Sequence, residues 1–258
     1  MPDRRTALFA SLFLLLATPF AARVDATQPQ ITVAAAISMK DALDAVEKRF
    51  SERAGAAKVI FFLGASGILQ KQIEEGAPVD VFISAAPAQM NALEEKGLLL
   101  AGTRRDIAGN RLVLVVPVGS TAVYSLEDLK KPEVNNIAIG EIRSVPAGQY
   151  AAEALRNLKL FDELQSKFVY AANVRSVLTY VSSRDADAGF VYETDAKSTD
   201  KVTIAMVLPA SSYPPVVYPA AVIRNSQNVA AATSFLEFLS SADGRAILEK
   251  FGFTAPFK

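Results

Sequence analysis

Short apolar runs alternate with stretches of helical spacing along most of the chain. Ile31 to Ala36 is an apolar run of strand length. Beyond Ser38, the apolar residues Met39, Ala42, Leu43, Val46 and Phe50 recur at the spacing of one helix face. Lys58 to Leu63 predicts a second strand, and Ser66 opens a helix carrying Ile68, Leu69 and Ile73. Val79 to Ser84 predicts a third strand, with Pro87 near the next helix start, where its missing N–H is harmless. Leu112 to Val116, Asn136 to Gly140, Phe168 to Ala171, Ala188 to Tyr192, Val202 to Val207 and Val216 to Ile223 read as further strands. Helices are predicted after Val145-Pro146-Ala147-Gly148, with Tyr150, Ala151, Ala154, Leu155 and Leu158 inward, and along Val174, Val177, Leu178 and Val181. Ser125-Leu126-Glu127-Asp128 has the form of a helix cap, and two helices follow Asn228. This alternation predicts an α/β fold with mostly parallel sheets.

The turn-rich segment Ser211-Ser212-Tyr213-Pro214-Pro215 and a break near Gly109-Asn110 fall between strands, with no long linker. They predict two lobes around a cleft. Lobe 1 is expected to be 27–109 and 218–258, and lobe 2 to be 110–217. Residues 1–26 read as a secretory signal. Arg4 and Arg5 precede a short apolar run, Ala7 to Ala17, and Val24-Asp25-Ala26 offers a small-residue cleavage site near Ala26. The run is too short for a membrane span, and without Cys it cannot be followed by a lipid anchor. An exported, periplasmic product is expected.

Composition narrows the chemistry. The chain has no His and no Cys. That removes a Ser-His-Asp triad, a thiol nucleophile, and imidazole or thiolate metal ligation. Ser38 and Lys40 lie two residues apart and would point to different faces of a helix, so Lys40 is a poor base for Ser38. Gly64-Ala65-Ser66-Gly67-Ile68 lacks the glycine spacing of a nucleophile elbow. Glu74, Glu75, Asp80 and Arg175 read as solvated charges. With 27 basic and 27 acidic residues there is no electrostatic case for nucleic acid. An enzyme is not expected, nor is a cofactor.

What recurs instead is a helix beginning directly after a strand, with a small or hydroxyl residue at its start: Ser38, Ser66 and Ala147-Gly148. Such starts expose unpaired N–H groups and the positive end of the helix dipole, and they gather at the carboxyl ends of parallel strands. They suit an anion held without a charged side chain.

Five blocks then carry a family likeness. They are Ile31-Thr32-Val33-Ala34-Ala35-Ala36-Ile37-Ser38, the run from Gln72 to Ser84 containing Gly76-Ala77-Pro78-Val79-Asp80-Val81-Phe82-Ile83-Ser84, Gly109-Asn110-Arg111-Leu112-Val113, Val145 to Ala151, and Ala188 to Tyr192. Lys250-Phe251-Gly252-Phe253 closes the series. In this order and spacing the mature chain resembles, almost end to end, the periplasmic molybdate-binding proteins of ABC importers. The resemblance implies a two-lobed, type II-like periplasmic binding protein that captures molybdate, and also tungstate, between its lobes. Its partners would be the oxyanion and a membrane permease, with no nucleic acid and a monomeric state. Carried over by motif, the ligand-binding residues are Ser38, Ser66 and Tyr192 through their hydroxyls and Ala147 and Val174 through backbone N–H. Molybdenum would be held within its oxyanion, with no directly coordinated cation. Sulfate or another small tetrahedral oxyanion is the alternative ligand. The chain departs from the family pattern at Ala65 and Gly67, where relatives carry further hydroxyls, and at Ile37, where a smaller residue is common.

Overall fold

The computed structural model describes residues 28–256; the predicted signal segment and its cleavage site lie outside them. The chain begins with β1 (Gln30–Ala36), α1 (Lys40–Ser51), β2 (Lys58–Gly64), α2 (Ser66–Glu74), β3 (Val81–Ile83), α3 (Pro87–Glu95) and β4 (Arg105–Asn110). It continues with β5 (Leu112–Pro117), β6 (Ile137–Gly140), α4 (Pro146–Asn157), α5 (Phe161–Leu164), β7 (Phe168–Ala171), α6 (Val174–Ser182), β8 (Ala188–Tyr192), α7 (Glu193–Ala196) and β9 (Val202–Val207). It ends with β10 (Val216–Val222), α8 (Val229–Ser240) and α9 (Ala242–Lys250).

Two five-stranded sheets result, ordered β2-β1-β3-β10-β4 and β7-β6-β8-β5-β9. In each sheet four strands point one way and one is reversed. The reversed strands are β10, antiparallel to β3 and β4, and β5, antiparallel to β8 and β9. Each is the strand the chain enters on arriving from the other sheet: β5 directly after β4, and β10 after β9. Two short crossings therefore join two α/β lobes. The fold is the two-lobed α/β architecture that the periodicity predicts.

The first sheet is buried on both faces, as parallel sheets flanked by helices must be. Val33 and Ala35 pack with α1 and α8 residues such as Leu43 and Phe235, whereas Ala34 joins Leu69, Phe82 and Met90 on the opposite face. Phe50 and Phe235 meet edge to face at 5.3 Å and tie α1 to α8.

Three readings are corrected here. Asp80 is buried, not solvated: its carboxylate accepts from the Thr32 N–H at 2.7 Å, the Ser226 hydroxyl at 2.6 Å and the Asn228 amide at 3.3 Å. It ties β1 to the segment after β10, a structural task. The third strand is also shorter than Val79 to Ser84, because Val79 and Asp80 turn into it. The segment Ser125 to Asp128 leads into a single 3-10 turn at Glu127–Lys130 whose N-cap, Leu126, makes no side-chain cap. There the Asp128 carboxylate takes the Tyr124 and Ser125 N–H groups, both at 2.9 Å.

Candidate functional site

Strand register brings the helix starts together. Ala36 pairs with Gly64 in the parallel β1–β2 ladder, so Ser38 and Ser66, each two residues beyond, emerge side by side. In the second sheet Gly140 pairs with Ala171, and the chain beyond each leads into α4 and α6, which carry Ala147 and Val174. β8 ends at Tyr192. All five predicted residues line one small interlobe cavity of about 10 Å³. Ile37, Ala65, Ala85, Val145 and Pro146 complete most of its wall. No charged side chain lines it among the described residues, and its polar side chains are the three hydroxyls of Ser38, Ser66 and Tyr192.

The two serine hydroxyls are held so that their hydrogens are free to donate inward, and the Tyr192 hydrogen is held only by a long bond. Neither serine caps its own helix. Ser66 Oγ accepts the Ala85 N–H at 3.0 Å, which leaves its O–H for another partner. Ser38 Oγ lies 3.0 Å from the Tyr218 hydroxyl, and Asn110 donates to that same hydroxyl at 3.4 Å. With Tyr218 receiving from Asn110 and giving to Ser38, the Ser38 hydrogen is left over. Burial pushes the Tyr192 and Tyr218 hydroxyls well above the ordinary tyrosine value, so both remain protonated donors. Tyr192 donates to the Ala85 carbonyl at 3.4 Å, a long bond across the lobes that a better acceptor would displace.

The backbone donors are equally prepared. Among the described residues, neither the Ala147 nor the Val174 N–H meets a protein acceptor, as expected for the first turn of a helix. The Asn173 side chain caps α6 by taking the Ser176 N–H at 2.9 Å and so leaves the Val174 N–H unspent. Gly148 allows α4 to start this close to the end of β6: a Cβ there would lie 2.0 Å from the Gly140 carbonyl oxygen.

The lobes touch at the rim. The Gly67 N–H donates to the Ser144 carbonyl at 3.0 Å, and the Gln89 amide to Gln149 at 3.1 Å. Arg175 is not the solvated charge expected from sequence. It is half-buried, bonded to Asp41 across the lobes and paired with buried Asp195. A larger cleft of about 560 Å³ adjoins the small cavity through Ser38, but charges of both signs line it, including Asp41, Arg175, Lys197 and Lys250. Its mixed charge makes it a poor match for a bare anion. No group of His, Cys, Asp and Glu side chains suited to a metal cation occurs among the described residues.

Sequence reasoning missed Ala85, Tyr218 and the Gly67–Ser144 contact, and it read Arg175 as a solvated charge. Asn110 belonged to a recognised block, which was the available signal. The others act through backbone atoms or through partners far away in sequence.

A family model for bacterial extracellular solute-binding proteins matches residues 31–254. The chain belongs to this family. The solute-binding protein is 39% identical over 235 residues to the molybdate-binding protein ModA of Haemophilus influenzae, covering 89% of this chain and 92% of that one. It is 34% identical over 252 residues to ModA of Escherichia coli, covering 96% of each. The solved Azotobacter vinelandii periplasmic molybdate-binding protein is similar with a TM-score of 0.79 at 26% identity, covering 88% of this chain and 100% of that one. In the solute-binding protein, the interlobe cavity lies where the two sheets direct their helix starts.

Proposed function

We propose that this solute-binding protein captures molybdate, and tungstate with it, and delivers the anion to the membrane permease of an ABC importer. It does so as an exported monomer, cleaved near Ala26 and without catalysis, with lobes 27–110/216–258 and 111–215, one or two residues off the expected crossings because β4 runs to Asn110 and β10 starts at Val216. The observation that carries the reading is the cavity lining: three hydroxyl donors and two free helix-start N–H groups, with no carboxylate and no cation. Molybdate is a dianion with four acceptor oxygens and no proton at neutral pH, so it needs donors alone. Phosphate keeps a proton at that pH and would leave it unpaired, a penalty that separates the two anions.

The energies are of the right size. Five hydrogen bonds to a charged group contribute roughly 1.5–3 kcal/mol each, about 8–15 kcal/mol before ordering and desolvation. Micromolar to nanomolar binding needs about 8–12 kcal/mol. No Lys or Arg contact is required. The similarity to proteins named for molybdate favours this anion over sulfate, which has the same charge and shape.

A thermal-shift and calorimetric titration with molybdate, tungstate, sulfate and phosphate tests the assignment. Molybdate and tungstate at 100 times their dissociation constants should each add about 2.7 kcal/mol of stability. Equal stabilisation by sulfate or phosphate at the same concentrations would overturn it.

A further inference from the structure

Arg175 follows Val174 on α6, and its guanidinium hydrogen-bonds through two nitrogens and lies against a carboxylate with the third. Nε lies 2.7 Å from the Asp195 carboxylate, Nη1 donates to the Ser198 hydroxyl at 3.0 Å, and Nη2 donates to Asp41 at 2.7 Å. Asp195 and Ser198 belong to the same lobe as Arg175. Asp41 does not: it lies on α1, three residues beyond Ser38. One side chain thus joins α6, which carries Val174, to α7, which follows directly on Tyr192, and to α1, which begins two residues beyond Ser38.

We propose that Arg175 and Asp41 form a charge clamp that holds the lobes closed over the bound oxyanion, with Arg175 acting as a positioning residue for the Val174 N–H. The proposal rests on the oxyanion-binding reading above.

The two halves of the contact differ in a way that suits a clamp. The Asp195 side chain is fully buried, so Arg175 cannot leave it without stranding a carboxylate in the core. That half is fixed and holds the planar guanidinium in one orientation. The Asp41 side chain is 41% exposed, so it can return to water when the lobes part while Arg175 keeps its buried partner. The interlobe half is therefore the one that can break. Of the neighbouring charges, Lys40 is paired with Asp44 at 2.6 Å and Lys197 with Glu193 at 2.7 Å, while Lys250 and Glu249 line the same cleft. Both Arg175 and Asp41 line the larger cleft, so salt can reach the pair, and neither lines the anion cavity. A contact at the rim, formed on closing, sets how long the closed state lasts rather than which anion it selects.

The test uses the mature chain carrying Asp41→Asn or Arg175→Lys. Molybdate release is followed by stopped-flow tyrosine fluorescence in this tryptophan-free protein. Asp41→Asn should release molybdate about tenfold faster, with a smaller change in association rate. The ligand-free protein should keep its Tm, since the pair it loses forms only on closing. About 0.5 M NaCl should speed release from the wild type and leave Asp41→Asn nearly unaffected. Arg175→Lys should fall between the two, because a single ammonium cannot serve both carboxylates in fork geometry. Unchanged release from Asp41→Asn would overturn the clamp. So would an equal fall in Tm with and without molybdate, the mark of a contact present in both states. If the wild type ignores molybdate, the functional reading fails separately. Release of whichever oxyanion the wild type does bind then decides the clamp: equal release from Asp41→Asn and the wild type would refute it.

Discussion

Replacing Gly67 by alanine should abolish tight anion binding while leaving the unliganded protein as stable as before, or slightly more so. A Cβ at Gly67 would lie 2.6 Å from the Ser144 carbonyl oxygen and 2.8 Å from its Cα, whereas ordinary contact begins near 3.4 Å. Both atoms are backbone of the other lobe and cannot rotate away, so the lobes must stand apart by about 1 Å at this point. The Gly67 N–H to Ser144 bond, now 3.0 Å, would then be lost, at about 1 kcal/mol. The larger effect falls on the cavity. Ser38 and Ser66 approach it from one lobe, and Ala147, Val174 and Tyr192 from the other. An anion seated on one set would lose full contact with the second. Two weakened charge-assisted bonds at roughly 1.5–3 kcal/mol each give about 3–6 kcal/mol, or roughly a hundredfold to ten-thousandfold in affinity. In the separated lobes alanine has no such clash, and within α2 it favours the helix by up to about 1 kcal/mol over glycine. Calorimetry for affinity and thermal melting without ligand check both halves. Binding within about threefold of wild type would refute the idea that lobe contact at Gly67 sets the closed geometry.

Two further substitutions probe separate parts of the site. Ser66→Ala removes one donor and strips the Ala85 N–H of its acceptor, so molybdate affinity should fall about tenfold to a hundredfold by calorimetry, with the far-UV spectrum unchanged. Burial pushes the Asp195 carboxyl up to about 7 despite the opposing pull of Arg175, against roughly 3.9 in the unfolded chain. Between those values the folded state holds the extra proton. The stabilisation is therefore complete below about pH 4 and is lost as pH rises through about 7. Melting temperature should fall between pH 5 and pH 8 in the wild type, and Asp195→Asn should flatten that slope; an unchanged slope would exclude Asp195 as its source.

The elements that present the site were readable because burial on both faces leaves long apolar runs, and one-sided burial leaves the 3.6-residue period. β4 was not readable. Arg105-Asp106-Ile107-Ala108-Gly109-Asn110 has no strand-like alternation, and it becomes an edge strand by pairing with β10, more than a hundred residues later. The four-residue helices α5 and α7 are too short to show a period. Asp80 looked like any surface carboxylate because its partners Ser226 and Asn228 are 146 and 148 residues away. Ser38, Ser66 and Tyr192 offered hydroxyls that sequence could flag. Ala147 and Val174 line the cavity with unpaired backbone N–H groups, so their side chains carry no chemical signal, and family resemblance alone pointed to them.

The same division explains where the charges went. A dianion enclosed by dipoles needs no countercharge if enough of them converge, because oriented N–H and O–H groups replace the water they displace without reorganising. A cation inside the cavity would strengthen binding to every oxyanion alike and would slow release. A carboxylate would repel them all. Ionic groups at the edge, such as Arg175 with Asp41, act on a different quantity, the lifetime of the closed state. Selection by a neutral interior and retention by a breakable ionic rim can then be altered independently. Ser66→Ala should change affinity without altering its salt dependence, whereas Asp41→Asn should speed the release of every oxyanion alike and remove the salt dependence of that release.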